Sequence, residues 1–298
     1  MAEGTGPVTV GIIGGSGLYD IEGITDVEEI ALDTPFGAPS DPFVVGTLEG
    51  TRCVFVPRHG QGHRYLPSEV PYRANIWGLK KLGARHVIGI SAVGSLREDI
   101  APGHLVVPDQ LVDRTRGRVA TFFGEGCAAH VQFGDPYEPG LRTELLEAVR
   151  EVGATVHDGG TYVCIEGPTF STRAESNLYR AWGCDIVGMT NLPEARLARE
   201  AELAYATLAL STDYDCWHEE EVSVESVVKI IRQNVHTAKD VIRAVCRRLA
   251  ALGHITWPSH TALGHGMAVM TPPERVPPAT KARLDLLVGR YLWPAELG

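Results

Sequence analysis

Two aspartates, Asp213 and Asp215, stand one residue apart directly after the apolar segment 203–211, LAYATLALS. Side chains of a β-strand alternate between its two faces, so residues two apart point in the same direction. If the segment is a buried strand, both carboxylates lie on one side of its carboxyl end, where open α/β sheets bind ligands. Burying two carboxylates costs free energy unless a ligand uses them. A purine base with an exocyclic amine is a suitable ligand, because it offers both donors and acceptors.

Three other predicted strands end in segments that suit an anion. The loop 14–17 (GGSG) offers backbone N–H groups and the hydroxyl of Ser16. Arg58 and His59 follow a second strand, and a guanidinium matches the geometry of phosphate. Ser91 begins the small-residue segment SAVGS after a third strand. Taken singly, each is more typical of an ordinary turn or a solvated strand end, but together they indicate a site for one tetrahedral anion.

The glycine-rich loop does not match the common nucleotide-binding or nucleophile motifs. A dinucleotide fingerprint requires a third glycine at position 20, which is Asp20. A Walker loop requires Gly-Lys-Ser/Thr, and a nucleophile elbow requires glycine where Leu18 stands. These mismatches argue against a dehydrogenase.

Two further strand ends carry residues that could contact a nucleoside. The segment 166–175, EGPTFSTRAE, is dense in polar groups, and its Phe170 could stack on a flat base beside Ser171. After the next short strand, Met189 could lie under a sugar and Thr190 could donate to an anion. The alternatives are a core aromatic for Phe170 and a core filler for Met189.

The bulk composition describes an acidic globular chain. Its 298 residues are 44% hydrophobic and 21% charged, with a formal net charge of −10. This charge argues against nucleic acid or an anionic membrane as the main partner. No apolar segment reaches the roughly 18 residues of a membrane span, and no signal peptide is visible. The six cysteines and eleven histidines show no metal-ligand spacing, so we expect a cytoplasmic protein without a bound metal.

Strands alternate with helices along most of the chain. This predicts an α/β fold with a mixed central sheet flanked by helices on both faces. We expect one domain, 7–253, with a C-terminal extension at 254–298 that contains a terminal helix over Lys281–Tyr291. Another helix is predicted at Ser171–Trp182 with Ser171 as its N-cap, and residues 109–138 are predicted to form a long loop.

Several motifs occur together and in order between about Val8 and about Arg248. They are GIIGGSGL, DTPFGAPSD, RHG, SAVGSL, EGPTFSTRAE, GMTNLPEA and STDYDCW. In this combination the chain resembles the trimeric purine nucleoside phosphorylase family, and within it the 5′-methylthioadenosine phosphorylase branch. The resemblance implies a nucleoside phosphorylase-like fold for the domain 7–253 and an adenine-specific pentosyltransferase that works in purine salvage.

The same resemblance implies a role for each matching residue. The implied phosphate ligands are Ser16, Arg58, His59, Ser91, Thr190 and the backbone N–H of Ala92. The implied base contacts are Phe170, Ser171, Asp213 and Asp215, whereas Ser91 and Met189 contact the ribose. The implied contacts of the 5′ substituent are Val224, Val227, Val228 and His130, with His130 contributed by a neighbouring subunit of a homotrimer.

The implied reaction is phosphorolysis of 5′-methylthioadenosine to adenine and 5-methylthioribose 1-phosphate. It requires no cofactor, because inorganic phosphate is a co-substrate. Asp213, supported by Asp215, is the candidate for protonating N7 of the base, which requires a raised pKa, and His59 lies between sugar and phosphate. An aspartate accepts a hydrogen bond from a 6-amino group and mismatches a 6-oxo group, which favours adenine.

The residues leave other functions open. The fold could serve a phosphorylase for another 5′-deoxy-5′-substituted adenosine, such as a halogenated one, or a general purine nucleoside phosphorylase. A nucleosidase that uses water would not need phosphate, and Arg58 with His59 argues against it. A non-catalytic adenosine-binding protein would release no adenine when substrate and phosphate are added.

Overall fold

A computed structural model describes residues 6–15, 17–18, 20–218, 224–264 and 268–293, and the side chains of 224–229 are outside this description. The strands are β1 (Thr9–Gly14), β2 (Thr25–Ile30), β3 (Phe43–Leu48), β4 (Thr51–Pro57), β5 (His86–Ser95), β6 (Leu105–Val107), β7 (Gln110–Arg114), β8 (Val156–Asp158), β9 (Thr161–Ile165), β10 (Ile186–Gly188) and β11 (Ala204–Tyr214). The helices are α1 (Tyr72–Lys81), α2 (Pro139–Val152), α3 (Arg173–Ala181), α4 (Asn191–Glu200), α5 (Val224–Leu252) and α6 (Pro278–Leu292). Short 3₁₀ turns occupy Pro258–Thr261 and Pro273–Arg275. None of these helices is long and apolar enough to cross a membrane.

These strands join one sheet in the order β2-β3-β4-β1-β5-β10-β9-β7. A branch leaves this order at β5, which also pairs with β11, and continues from β11 to β6 and from β6 to β8. Strand β1 is parallel to β4 and β5, and β11 is parallel to β5, whereas the β2-β3-β4 meander is antiparallel. The predicted mixed sheet is therefore confirmed. Gly14 lies opposite Pro57, and Ala209 lies opposite Ser91. The carboxyl ends of β1, β4, β5 and β11 consequently meet at one edge.

Helices cover both faces of the sheet, as predicted. Adjacent residues of a strand bury their side chains on opposite faces, and each face packs against its own set of helices. Ile13 and Val54 belong to a core cluster that includes residues of α1, α4 and α6. Their neighbours Ile12 and Phe55 belong to a second cluster that includes residues of α2 and α5. The central strands β1, β4 and β11 are buried on both faces, which explains their nearly continuous apolar sequences.

The segment after residue 253 packs against the same core. Leu284 and Leu287 of α6 are at most 1% exposed within the first cluster. Buried Glu202 accepts hydrogen bonds from the amide of Leu263 at 2.9 Å and the hydroxyl of Tyr291 at 2.7 Å, and it pairs with Arg290. A helix is present where one was predicted over Lys281–Tyr291, whereas the domain boundary at 253 stays a prediction.

Two local predictions are wrong. The N-cap of α3 is Thr172 rather than Ser171: its hydroxyl accepts from the amide of Glu175 at 3.2 Å, and the Glu175 carboxylate accepts from the Thr172 amide at 2.8 Å. The Thr-x-x-Glu spacing of this capping box was visible in the sequence. The segment 109–138 is also not a continuous loop, because Gln110–Arg114 pairs with β9 as a partly exposed strand.

Candidate active site

A cavity of about 1010 Å³ opens at the sheet edge where β1, β4, β5 and β11 end. The junctions β9–α3 and β10–α4 form its other walls, together with part of α5. The predicted site residues that line it are Arg58, His59, Ser91, Ala92, Phe170, Ser171, Met189, Thr190, Asp213 and Asp215. The structure thus brings the candidate base-binding and anion-binding groups into one cavity.

The remaining predicted residues are not part of this lining. Ser16 and the side chains of Val224, Val227 and Val228 lie outside the described residues. The glycines on either side of Ser16 do line the cavity. His130 is exposed and does not line the cavity of its own chain, and its backbone amide donates to the carbonyl of Ala268 at 2.7 Å.

Arg58 is held by a buried carboxylate that was not predicted. Its Nε and one terminal nitrogen donate to the two oxygens of Glu194 at 2.8 and 2.9 Å, and both side chains are at most 4% exposed. The guanidinium also donates to the carbonyls of Ile90 at 2.7 Å and Ile13 at 3.3 Å. The Tyr205 hydroxyl donates to Glu194 at 2.8 Å. Only part of the guanidinium is therefore available to a ligand, in a fixed orientation.

His59 is oriented by a backbone carbonyl. Its Nδ1 lies 2.9 Å from the carbonyl oxygen of Tyr65, and its ring stacks on His63 with centroids 4.2 Å apart. Because a carbonyl only accepts, Nδ1 carries the proton. The pKa of His59 is lowered to about 4. Burial is the largest cause and outweighs the hydrogen bond to Tyr65, which raises the pKa, and the charge of Arg58 adds to the lowering. At neutral pH the ring is neutral and its Nε2 is an acceptor.

The two aspartates differ in their surroundings. Asp213 lies inside β11, past an irregularity in the pairing with β5 between Ser211 and Asp213, and is half-buried. Burial raises the pKa of its carboxyl, the hydrogen bond from Thr212 at 2.5 Å opposes this rise, and the charge of Asp215 adds to it. Asp215 is 7% exposed, and its Oδ2 has no hydrogen-bond partner among the described residues. A buried carboxylate oxygen without a donor is a natural acceptor for a ligand N–H.

The β9–α3 junction supplies an exposed ring and a buried hydroxyl. Phe170 is 79% exposed, which excludes the core role that the sequence left open. The Ser171 hydroxyl is buried without a partner among the described residues. Met189 is half-buried against a small apolar cluster. A flat, partly polar ligand would cover the first two groups.

The apolar wall of the cavity includes two residues of α5 that are not among the predicted site residues. Ile231 and Val235 line it, and they continue the helical spacing of Val224, Val227 and Val228. This periodicity was available in the sequence. Glu194 had no such signal, although it lies within the motif GMTNLPEA, because its partner Arg58 is 136 residues away.

Comparisons with known proteins identify the family of the chain. A model of the family described as the phosphorylase superfamily matches residues 9–247. A protein of Geobacter sulfurreducens named S-methyl-5′-thioadenosine phosphorylase is 57% identical over 286 residues, which covers 95% of this chain and 99% of that one. An alignment of this length exceeds the first 253 residues, so the similarity extends into the segment 254–298.

Solved structures are similar as well. The crystal structure of a methylthioadenosine phosphorylase from an antarctic soil metagenomic library has a TM-score of 0.90 and 48% identity, and the match covers 94% of this chain and 99% of that one. A variant of the adenosine/methylthioadenosine phosphorylase from Schistosoma mansoni in complex with methylthioadenosine has a TM-score of 0.76 and 40% identity. The match covers 82% of this chain and 92% of that one. The chain therefore belongs to the phosphorylase superfamily, as a relative of the proteins named S-methyl-5′-thioadenosine phosphorylase.

Proposed function

We propose that this chain catalyses phosphorolysis of 5′-methylthioadenosine to adenine and 5-methylthioribose 1-phosphate. The observation that carries the proposal is that one cavity is lined by both kinds of group that the reaction needs. Asp213 and Asp215 suit a 6-aminopurine, whereas Arg58, Ser91 and Thr190 suit phosphate. The names of relatives at 45–57% identity support the same activity.

In the proposed reaction, phosphate occupies the strand ends that carry Arg58, Ser16 and the amide of Ala92. The C1′–N9 bond breaks toward an oxocarbenium-like sugar, its electron pair goes to the base, and a phosphate oxygen bonds to C1′. Asp213 donates a proton to N7 of the departing adenine. The proton of hydrogen phosphate then passes to Asp213 and restores its carboxyl group. Positioning the phosphate and stabilising the departing base supply most of the catalysis.

His59 contributes as an acceptor in this proposal. Its neutral Nε2 accepts a hydrogen bond from the hydroxyl of hydrogen phosphate or from the ribose, because Nδ1 already donates to Tyr65. Met189 lies beside the ribose, and Phe170 and Ser171 lie beside the base. No metal or organic cofactor is part of the proposed reaction.

The proposal also covers the contacts of the 5′-methylthio group and the assembly of the protein into a homotrimer. The methylthio group lies against the apolar wall to which Ile231 and Val235 of α5 contribute. Val224, Val227 and Val228, whose side chains are outside the described residues, are its other proposed contacts. His130, which does not line the cavity of its own chain, closes the cavity of a neighbouring subunit in a homotrimer. The free state of all six cysteines fits a reducing cytoplasm.

Phosphate-dependent release of adenine tests the proposed function. We expect adenine to form from 5′-methylthioadenosine with phosphate and not without it, as measured by chromatography. A panel with adenosine, inosine and 5′-chloro-5′-deoxyadenosine measures selectivity, and kcat/KM is expected to be highest for methylthioadenosine and lowest for inosine. Adenine release without phosphate would identify a nucleosidase, and a clear preference for the chloro compound would reassign the 5′ group.

The base preference is expected to change in Asp213→Asn. Once Asp213 has given its proton to N7 it is a carboxylate, which can only accept, whereas an amide can donate to O6 of a 6-oxopurine. The ratio of kcat/KM for methylthioadenosine to that for methylthioinosine is therefore expected to fall about tenfold or more. An unchanged ratio would show that Asp213 does not select the base. The matched control is Asp158→Asn, because Asp158 is an exposed aspartate at the end of β8; this variant is expected to leave the ratio unchanged.

A further inference from the structure

A buried phenol lies directly behind the hydroxyls of the candidate phosphate site. Tyr162 of β9 is completely buried, and its hydroxyl lies 3.2 Å from Oγ of Ser91. Oγ of Ser91 in turn lies 3.5 Å from Oγ1 of Thr190. Ser91 and Thr190 line the cavity, whereas Tyr162 does not. The three hydroxyls therefore form a chain that leads from the core to the cavity.

The main chain leaves room for this phenol. A Cβ atom at Gly188 would lie 1.9 Å from the Tyr162 oxygen. No side chain fits at that distance, so glycine at 188 is required by the close approach of the phenol. This close contact and the complete burial of the ring fix the position of the hydroxyl next to Ser91.

The protonation of the phenol allows it to be the donor in this chain. Burial raises the pKa of Tyr162 well above its ordinary value, against the opposing effects of Ser91 and the Thr190 backbone amide. The phenol is therefore protonated at neutral pH. When Tyr162 donates to Oγ of Ser91, the single proton of Ser91 can go to the Ala92 carbonyl at 3.4 Å, to Thr190 or to an anion in the cavity. An anion in the cavity then meets hydroxyl donors instead of lone pairs.

We propose that Tyr162 is a positioning residue that orients the hydroxyls of Ser91 and Thr190 as donors to phosphate. This inference rests on the proposed function for the identity of the anion. It assigns to Tyr162 no contact with substrate. Its effect is expected to reach phosphate through Ser91 and to be smaller on the nucleoside, whose ribose is the other implied contact of Ser91.

The test is Tyr162→Phe, with Tyr137→Phe as the matched control. Tyr137 is also buried, and its hydroxyl donates to Asn191 at 2.9 Å, outside the cavity lining. We expect KM for phosphate to rise about tenfold in Tyr162→Phe, as for one weakened hydrogen bond to a charged group. KM for the nucleoside is expected to change less than KM for phosphate in Tyr162→Phe, and less than twofold in Tyr137→Phe. Adding Tyr162→Phe to Ser91→Ala is expected to raise KM for phosphate less than twofold further, because Tyr162 acts through Ser91.

Binding of inorganic phosphate without nucleoside separates this inference from the proposed function. Phosphate is expected to raise Tm of the wild-type protein and of Tyr137→Phe, and to raise Tm of Tyr162→Phe by less at equal concentration. Equal phosphate shifts in all three proteins, or a tenfold effect that persists on the Ser91→Ala background, would overturn the role of Tyr162. Failure of the wild-type protein to release adenine would instead overturn the proposed function.

Discussion

Replacing Asp213 by alanine is expected to lower kcat for phosphorolysis by about 10²–10⁴-fold, the range for loss of a general acid. The raised pKa of this carboxyl, which comes chiefly from burial, favours the protonated form that can donate to N7. The phosphate-binding groups are untouched in the variant. Inorganic phosphate is therefore expected to raise Tm of Asp213→Ala as it does for the wild type, and turnover near the wild-type rate would refute the assignment.

The pH dependence of the same variant identifies the acid. In the wild type, kcat is expected to fall as pH rises through the folded-state pKa of Asp213, because the donor is then ionised. This decline is expected to be absent from the residual activity of Asp213→Ala. Asp158→Ala, the matched control outside the cavity, is expected to keep both the rate and the profile within twofold.

The raised pKa also predicts the sign of a stability change. A carboxyl whose folded-state pKa lies above its unfolded value of about 3.9 is more easily ionised in the unfolded chain. The free energy of unfolding therefore falls as pH rises between these two values. Above the folded-state pKa, Asp213→Asn lacks this cost, so its stability is expected to equal or exceed that of the wild type. A loss of activity without a loss of stability is the mark of a catalytic role.

The part of the site that sequence reasoning could predict is the part built from local patterns. Alternation along a strand places Asp213 and Asp215 together, and strand-end composition places Arg58 and Ser91 at one sheet edge, because parallel strands end on the same side. The pairing irregularity between Ser211 and Asp213 could not be predicted. It leaves the relation between the two aspartates intact, because both lie beyond it.

The supporting groups could not be predicted, since they come from distant parts of the chain. Tyr162 and Ser91 are 71 residues apart, and Glu194 and Arg58 are 136 residues apart. Each pair depends on the order of strands in the sheet, which a single sequence does not determine. A residue contributed by another subunit, as proposed for His130, is likewise beyond the reach of local patterns.

The buried pair Arg58–Glu194 gives the second large expected effect. Glu194→Gln leaves the guanidinium buried beside a neutral amide, and Arg58→Met leaves a buried carboxylate with only Tyr205 as a described donor. Removing one partner of such a pair typically costs about 3–5 kcal/mol. Each single variant is therefore expected to lose about this much free energy of unfolding, as measured by urea denaturation.

The double variant Arg58→Met/Glu194→Gln distinguishes a pair kept for stability from one kept for function. Neither charge is then left alone, so the loss is expected to be smaller than the sum of the single losses by about 2–3 kcal/mol. The remaining loss comes from the carbonyls of Ile90 and Ile13, which lose their donors. The double variant is nevertheless expected to lose the Tm response to phosphate and most phosphorolysis. Additive losses would show that the two charges do not stabilise each other, and retained phosphate binding would show that Arg58 does not bind the anion.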